Sequence, residues 1–497
     1  MSTEQPQHAA RQRLRIGIIG AGPGGMAAAH YLREAGFNTL VLWEKNKDFG
    51  GTWYLNRYPG LECDVPSHLY SFSFDLNPGW TRTYASQPEI LAYFQAAGDR
   101  MRLREFVRFG VEVTSATWDG KKCVWRVGLS TGVEEEIDIL VSAQGMFNRI
   151  KWPEIPSLDS FAGKLVHAAR WPDELTLVGR RVAVVGSAAS AIQMIPEIAR
   201  EVGHLDVYQR TPSWVAPKDC MEFDVGTIAA RAADPALVVA ERRRIFEGFE
   251  EFADWTKPKN EEEILGACHA NLALVENTEV RQKLTPTFNW GCARPLSSNA
   301  YYPAFNRANV TLVTERVQAA TSTGLVDAGG IERRHDVIIC ATGFHVDLFL
   351  AVIPVRGEEG IDIASAWNGT PRAYLGILTA GFPNLFMLYG PNTNNGSIIE
   401  MLELQARYIV RHVEWMIAND IVALAVRPEA EAAYNDELRY EIAKVGVWQG
   451  NCHNYYLNNA GYNVTQYPRN MGFYRERLSR PDWDKLIIHS KACAKAT

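Results

Sequence analysis

Apolar residues recur in two stretches of the chain in the same order: a short apolar run, a glycine-containing turn, a helix-period segment and a second apolar run. In the first stretch the runs are residues 14–20 and 38–43, and the helix between them ends at Gly36. In the second stretch the runs are residues 180–186 and 204–208. Continuous apolar runs separated by helix-period segments are typical of parallel strands covered on both faces. The pattern predicts an α/β protein with two doubly wound domains.

The remaining pattern adds helices to this plan. Residues 223–284 are charged and helical in period, which predicts a helical insert, and the acidic run at 261–263 indicates a solvated helix face. A chain of 497 residues is too long for one ordinary core, so we expect about two or three domains.

Composition excludes several classes of protein. Hydrophobic residues make up 47% of the chain and charged residues 22%, as in a globular protein with a large interior. No run approaches the roughly 18 apolar residues of a membrane helix, and the first residues lack the apolar core of a secretory signal. We therefore expect a cytoplasmic location and no membrane partner. A net charge of −6 argues against binding to nucleic acid.

The eight cysteines form no Cys-x-x-Cys pair. They stand at positions 63, 123, 220, 268, 292, 340, 452 and 493. Such scatter argues against a zinc site, a redox pair or a disulfide framework. We therefore expect that most of these cysteines are reduced and fill space in the interior, and that the protein binds no metal.

The first glycine turn has the G-x-G-x-x-G spacing of a dinucleotide site, with Gly20, Gly22 and Gly25 followed by Glu44 at the end of the next apolar run. Gly20 turns the chain, Gly22 lets the backbone approach a pyrophosphate, and Gly25 allows close helix–strand packing. Glu44 can accept hydrogen bonds from a ribose with a free 2′-hydroxyl, as in FAD or NAD. The alternative is a glycine-rich turn before an ordinary helix.

The second turn is a degraded version of the same fingerprint. It begins at Gly186 and continues through Ser187, Ala188 and Ser190, with alanine in place of the second and third glycines. Arg210 and Thr211 stand where the first site has its glutamate. A guanidinium there suits a 2′-phosphate and favours NADP over NAD. The alternative is a structural βαβ unit with a surface arginine.

Two segments resemble a known family. Residues 50–64 (GGTWYLNRYPGLECD) resemble the segment that lines the flavin in flavin monooxygenases, and residues 66–84 continue this resemblance. Residues 161–172 (FAGKLVHAARWP) match the F-x-G-x₃-H-x₃-W-P fingerprint of type I Baeyer–Villiger monooxygenases in every fixed position. The chain is identified as a member of this class B flavin-dependent monooxygenase family.

The resemblance implies a discontinuous FAD domain wrapped around an inserted NADP domain. Residues 1–160 and 341–497 would form the FAD-binding part, with a mobile C-terminal loop. Residues 161–340 would form the NADP-binding part, including the helical insert. Further cofactor contacts are expected from the flavin-loop residues, from the start of a later strand, from the linker and from a late loop: Gly51, Thr52, Trp53, Asp64, Tyr70, Val113, His167, Trp171 and Asn392. For His167 we expect a positioning role rather than acid–base chemistry.

The family's catalytic arginine maps onto Arg294 in the segment 290–302 (WGCARPLSSNAYY), and its carboxylate partner maps onto Asp64. The implied reaction uses O₂ and NADPH to convert a ketone into an ester or lactone through a flavin peroxide. Two residues depart from the family pattern: Ala293 replaces a lysine that helps to bind the 2′-phosphate, and Tyr455 replaces a tryptophan of the mobile loop. These departures weaken the expected NADPH preference and alter loop closure.

Three other readings remain. The nearest is a flavin monooxygenase that oxidises sulfur or nitrogen in a small molecule. A flavin disulfide reductase would need a Cys-x-x-Cys pair beside the flavin, which the chain lacks. A flavin-binding protein without turnover is the non-enzymatic alternative.

Overall fold

A computed structural model describes residues 10–449 and 454–490. Its strands are β1 (Ile16–Ile19), β2 (Leu40–Glu44), β3 (Val107–Phe109), β4 (Val113–Asp119), β5 (Val124–Leu129), β6 (Glu134–Ile137), β7 (Ile139–Ser142), β8 (Lys164–His167), β9 (Arg181–Val185), β10 (His204–Tyr208), β11 (Val215–Ala216), β12 (Leu296–Ser297), β13 (Val310–Val313), β14 (Val317–Ala320), β15 (Gly324–Asp327), β16 (Glu332–Arg334), β17 (Val337–Cys340), β18 (Val355–Arg356), β19 (Leu385–Met387), β20 (Ile421–Val426) and β21 (Leu486–Ser490).

Its helices are α1 (Pro23–Glu34), α2 (Thr52–Leu55), α3 (Gln87–Arg100), α4 (Ala189–Ile198), α5 (Val225–Ala233), α6 (Pro235–Ala253), α7 (Glu261–Leu272), α8 (Thr278–Lys283), α9 (Tyr301–Ala304), α10 (Ile363–Trp367), α11 (Ile398–Ala418), α12 (Pro428–Ala443) and α13 (Met471–Ser479). Short 3₁₀ helices lie at Leu103–Glu105, Leu158–Ser160, Ala168–Arg170, Phe349–Val352, Glu358–Gly360, Gly446–Trp448 and Trp483–Lys485. Within residues 10–449 and 454–490, no helix is both long and apolar enough to cross a bilayer.

The first sheet has the strand order β19-β7-β1-β2-β3, and all of its pairs are parallel. All four residues of β1 are buried at its centre. Helices α1 and α11 pack against each other beside this sheet and contribute to the same core. Because β19 comes from residues 385–387, the sheet is completed by a late part of the chain.

The second sheet has the order β13-β10-β9-β17-β8 and is also entirely parallel. Its strands all lie between residues 164 and 340, which separate β7 from β19 in the sequence. The prediction of two doubly wound units, one inserted into the other, is therefore confirmed.

Smaller sheets with antiparallel pairs, which the sequence did not indicate, pack against both units; in the first of them β18 pairs with β4 in parallel. The sheet β18-β4-β5-β6 shares a core with the first sheet through Trp43, Trp125 and Leu140. The sheet β14-β15-β16 packs on the second sheet through Ala320 and Leu325.

The helical insert contacts both units. Helix α6 packs on the first core through Ile245, Phe246 and Phe249. Helix α7 packs instead beside β11, where Cys268 joins a cluster with Trp214. The insert is continuous in sequence with the second unit, and α6 extends from there onto the first.

The chain crosses between the two units twice, and the crossings lie side by side. Ile150 and Phe344 form an antiparallel bridge. The Lys151 N–H donates to the Gly343 carbonyl (2.8 Å), and the His345 N–H donates to the Arg149 carbonyl (2.9 Å). The connections are thus hydrogen-bonded to each other.

Candidate active site

The turn after β1 requires glycine at two of its positions. Gly20 has a φ of +100°, and its N–H donates to the Trp43 carbonyl (2.8 Å). A Cβ at Gly25 would lie 2.0 Å from the Gly20 carbonyl oxygen, so any side chain there would collide with the turn. These contacts are the tight turn and the close helix–strand approach that the sequence predicted.

Glu44 lies directly beneath this turn. One carboxylate oxygen accepts the Ala21 N–H (2.8 Å), and the other accepts the backbone N–H (2.8 Å) and side-chain amide (2.6 Å) of Asn46. The residue is buried at the carboxyl end of β2. Its observed contacts hold the glycine turn in place beside the expected ribose position.

The segment that resembles the flavin-lining part of flavin monooxygenases, residues 50–84, is called the flavin loop. It packs into the molecule rather than over its surface. A Cβ at Gly22 would lie 3.2 Å from the Gly51 Cα, and one at Gly51 would lie 2.9 Å from the Gly22 Cα. Thr52 and Trp53 form α2, and the Trp53 indole N–H donates to the Tyr70 hydroxyl (3.0 Å). Two glycine turns therefore face each other across a narrow gap that side chains would fill, as a pyrophosphate cradle requires.

The turn after β9 repeats the geometry of the first. Gly186 has a φ of +119°, its N–H donates to the Tyr208 carbonyl (3.0 Å), and a Cβ there would lie 2.5 Å from the Ala341 carbonyl oxygen. The Ser187 hydroxyl donates to the Thr211 carbonyl (3.0 Å), and half-buried Ser190 lies in the first turn of α4. Both turns thus present a helix N-terminus at the end of a parallel sheet.

Arg210 lies two residues after the end of β10, where the first site has Glu44. Its side chain is exposed and makes no ion pair within the described part of the chain. A permanently charged group in this position is available to an anionic ligand.

His167 is buried at the junction of the two units. Its Nδ1 accepts the Ala169 N–H (3.2 Å), so Nε2 carries the proton and donates to the Lys151 carbonyl (3.3 Å). Burial lowers the pKa of His167, which favours this neutral form. The side chain fixes the linker at the crossing, while half-buried Trp171 packs against the second core.

Arg294 and Asp64 lie together, as their assignment required. The Arg294 guanidinium donates to an Asp64 carboxylate oxygen. Burial alone would raise the pKa of Asp64, but the charge and hydrogen bond of Arg294 outweigh it and hold that pKa below its ordinary value. The pKa of Arg294 is raised well above its ordinary value, mainly by the charge of Asp64. Because the side chains remain 35% and 38% exposed, the pair is accessible to a ligand.

Tyrosines surround this pair, and the sequence had singled out only Tyr455 among them. Burial raises the pKa values of Tyr389, Tyr455 and Tyr58, the last to about 12, and the nearby Arg294 charge opposes that effect in each. Tyr58 also donates to the Gln193 side chain of α4 (3.1 Å). The cluster keeps the exposed charge pair within a largely aromatic surface. Tyr58 had appeared only as part of the flavin-like motif, and Tyr389 only as part of a late loop.

Two predicted contact residues have other partners. The Asn392 side-chain amide donates to the Asn463 carbonyl (2.9 Å) and the Gln466 carbonyl (3.1 Å), so it holds the C-terminal segment. Val113 begins β4 and is buried in the antiparallel sheet.

Residues 452 and 453 of the predicted mobile loop lie outside the described residues, whereas Asn454 donates to the Cys292 carbonyl. Cys292 is disulfide-bonded. Free thiols among the described cysteines are Cys63, Cys123, Cys220, Cys268 and Cys340.

Comparison with known proteins identifies the family. The chain is 37% identical to a Baeyer–Villiger monooxygenase of Pseudomonas aeruginosa, over 98% of this chain and 93% of that protein. It is 38% identical to a Baeyer–Villiger monooxygenase of Streptomyces coelicolor, over 95% and 92% of the two chains. The chain belongs to the Baeyer–Villiger monooxygenases.

The structural comparison agrees with this membership. A crystal structure of cyclohexanone monooxygenase from Rhodococcus sp. Phi1 bound to NADP⁺ superimposes with a TM-score of 0.84 at 32% identity, over 96% of this chain and 99% of that chain. A family model described as an NAD(P)-binding Rossmann-like domain matches residues 18–86. Baeyer–Villiger monooxygenases are flavoproteins that use FAD and NADPH. The predicted enzyme class and cofactors are therefore confirmed at the level of the family.

Proposed function

We propose that this protein inserts one oxygen atom of O₂ beside the carbonyl group of a ketone and releases an ester or lactone. NADPH supplies two electrons, and the second oxygen atom leaves as water. The observation that carries the proposal is the accessible Arg294–Asp64 pair, since oxygen insertion into a ketone passes through negatively charged oxygen species that a fixed cation stabilises. Bound FAD would accept hydride from NADPH and activate O₂.

The residues around the two glycine turns fit these cofactors. FAD would lie across the turn at Gly20, Gly22 and Gly25, above Glu44, with the loop residues Gly51, Thr52, Trp53, Asp64 and Tyr70 beside it. Val113 and Asn392 would support the FAD site from behind the residues that contact it. The side-chain amide of Asn392 already donates to two backbone carbonyls. NADP would bind at Gly186, Ser187, Ser190, Arg210 and Thr211, with His167 and Trp171 supporting it from the linker.

Arg294 would act as the catalytic residue and Asp64 as its orienting partner. The raised pKa of Arg294 means that it stays charged at every working pH, so it stabilises anionic oxygen and transfers no proton. A carboxylate that accepts from the guanidinium limits its rotation. The surrounding tyrosines restrict water around the reacting atoms.

We also propose the division of the chain at residues 160/161 and 340/341, because every strand of the second sheet lies between 164 and 340. The cytoplasmic location stays a prediction from the sequence.

A panel of cyclic, linear and aryl ketones together with a thioether tests the reaction. NADPH consumption should rise with at least one ketone, and ester or lactone should form in a matching amount. The purified protein should be yellow and release FAD on denaturation. Oxidation of the thioether with no ester from any ketone would contradict the proposal and favour a sulfur- or nitrogen-oxidising enzyme.

A further inference from the structure

We infer that Lys218 is a positioning residue that holds the flavin loop, and through it the Asp64–Arg294 pair, in the reactive arrangement. This inference rests on the proposed function. Lys218 is only 6% exposed, although lysine is rarely buried unless it is paired. It lies outside both glycine turns and outside every motif that the sequence indicated.

Lys218 and Arg294 flank the same short ladder of the inserted unit, two residues after the end of β11 and two residues before the start of β12. β11 pairs with β12 in parallel, and the Ser298 N–H continues the ladder to the Ala216 carbonyl (3.0 Å). Asn299 then binds the Lys218 backbone twice: its side chain accepts the Lys218 N–H (2.8 Å) and donates to the Lys218 carbonyl (2.7 Å). The backbones that carry the two cations are therefore fixed relative to each other.

The two side chains bind consecutive residues of the flavin loop. The Lys218 ammonium donates to a Glu62 carboxylate oxygen (2.5 Å) and to the Cys63 carbonyl (2.9 Å). Arg294 donates to Asp64, the next residue. Three adjacent positions of one loop are thus held by two cations from one ladder.

Lys218 also acts on Asp64 through its charge. Its ammonium lies 4.6 Å from the Tyr84 ring centroid, in a cation–π contact that keeps it beside the loop. Together with the stronger effect of Arg294, its positive charge helps to hold the pKa of Asp64 below the ordinary value. The carboxylate therefore stays ionised while Glu62 neutralises the lysine.

Helix α4 of the inserted unit contacts the same loop. The Gln193 side-chain amide donates to the Glu62 carbonyl (3.0 Å), and a Cβ at Gly60 would lie 2.4 Å from the Gln193 carbonyl oxygen. The Lys218–Glu62 ion pair adds a charged contact to this neutral hydrogen bond from Gln193. The loop that carries Asp64 is thereby held from the unit that carries Arg294.

The decisive variant is Lys218→Met, which removes the ammonium and keeps most of the apolar stem. Flavin reduction by NADPH, measured by stopped flow, should stay within about twofold of wild type. Ester formed per NADPH oxidised should fall on the order of tenfold to a hundredfold, as for a reacting group that is displaced by about 1 Å. Lys218→Arg keeps the charge and should recover most of the ester yield.

A double variant separates positioning from general stability. If Lys218 acts only through the pair, Lys218→Met should cause no further loss of ester in an Arg294→Ala background, because residues that act as a unit are not additive. Arg82→Met is the matched control, since Arg82 lies 3.8 Å from the same Glu62 carboxylate and forms no ion pair with Asp64 among the described residues. It should leave both rates unchanged.

A second readout does not depend on turnover. In the protein without FAD, Lys218→Met should raise the rate of hydrogen exchange in the peptide that contains residues 62–65 and leave the peptide of β1 unchanged. If Lys218→Met does not fold, Glu62→Gln, which removes the negative charge of one of the two acceptors, should show a smaller change in the same direction.

Unchanged ester yield in Lys218→Met, or a loss that adds fully to that of Arg294→Ala, would overturn the inference. Unchanged exchange at residues 62–65 would do the same. If wild type forms no ester from any ketone, the proposed function fails, whereas the exchange experiment still decides whether Lys218 holds the loop.

Discussion

At the scale of single residues, the charge of Arg294 has the largest expected consequence. Arg294→Ala should still allow NADPH to reduce the flavin but should yield almost no ester, because its charge is needed only when anionic oxygen forms. Loss of one preorganised charge stabiliser costs about 100- to 1,000-fold in rate. The measurement is stopped-flow reduction followed by product analysis.

Two further variants serve as controls for Arg294. Lysine should rescue poorly, since a point charge does not reproduce the planar guanidinium that Asp64 accepts from. Asp64→Ala should show a milder defect, because the arginine stays charged and loses only its orientation. Near wild-type ester formation by Arg294→Ala would show that the assignment is wrong.

Arg210 should distinguish the two nicotinamide cofactors. Because the guanidinium is exposed and unpaired within the described residues, its removal deletes only a contact to the ligand. A charge-assisted hydrogen bond contributes about 1.5–3 kcal/mol, so Arg210→Ala should raise KM for NADPH roughly tenfold or more and leave NADH little affected. Steady-state kinetics with both cofactors are the test. Equal losses would mean that Arg210 does not contact the 2′-phosphate.

At the scale of elements, the flavin loop and the insert meet at His68. The ring is buried, neither nitrogen has a hydrogen-bond partner among the described residues, and it faces the Phe223 ring at 5.9 Å. Burial lowers the pKa of His68 to about 4, with the charges of Arg231 and Arg242 adding to this effect and that of Glu241 opposing it. The folded protein therefore holds this histidine neutral at neutral pH.

The lowered pKa of His68 predicts that the folded protein loses stability in mild acid. Between about pH 6.5, the ordinary pKa of histidine, and the folded pKa near 4, the unfolded chain binds more protons at His68 than the folded one. The free energy of unfolding should then fall as pH falls through this window. In His68→Gln that fall should be shallower, as measured by thermal unfolding at a series of pH values. An identical slope in both proteins would exclude a contribution from His68.

Helix α6 is attached to the first unit by a buried arginine. The Arg242 guanidinium donates to the carbonyls of His68 (3.0 Å), Leu69 (3.1 Å) and Ser71 (2.8 Å), and to the Glu400 carboxylate (3.0 Å). Its side chain is 11% exposed, as is that of Glu400. Glu400 also accepts from Arg475 (2.7 Å), so removal of Arg242 leaves the carboxylate paired but takes the charged donor from three backbone carbonyls and one carboxylate oxygen.

Arg242→Met should therefore lower the free energy of unfolding by about 1.5–3 kcal/mol in urea denaturation, because the buried acceptors lose a charged hydrogen-bond donor. Arg243→Met is the control on the next residue of the same helix. The side chain of Arg243 is 80% exposed and pairs with Glu247 at the surface, so its loss should change stability by less than about 0.5 kcal/mol. Equal effects of the two variants would show that α6 is not held by Arg242.

At the scale of the whole molecule, the two parallel sheets could be predicted because their determinants are local. Gly20 and Gly186 each fix a turn within one strand–helix–strand unit, and the spacing of apolar residues around them is visible in the sequence. The insertion of one unit into the other followed from the family resemblance. This prediction is confirmed by the strand order.

Contacts between distant residues could not be predicted in this way. Arg242 is 158 residues from Glu400, and Lys218 is 155 residues from Cys63. Neither lies in a periodic or motif-like setting, so nothing near it in the sequence indicates its partner. The Arg294–Asp64 pair spans 230 residues and was expected only because both segments resemble the family's.

The paired crossings at Ile150 and Phe344 have a mechanical consequence. Two connections that are hydrogen-bonded side by side behave as one hinge: rotation about them preserves the bonds from Lys151 and His345, whereas sliding one unit along the other would break them. The Arg294–Asp64 and Arg242–Glu400 ion pairs join the two units at other points, so they oppose the rotation that the crossings alone would allow.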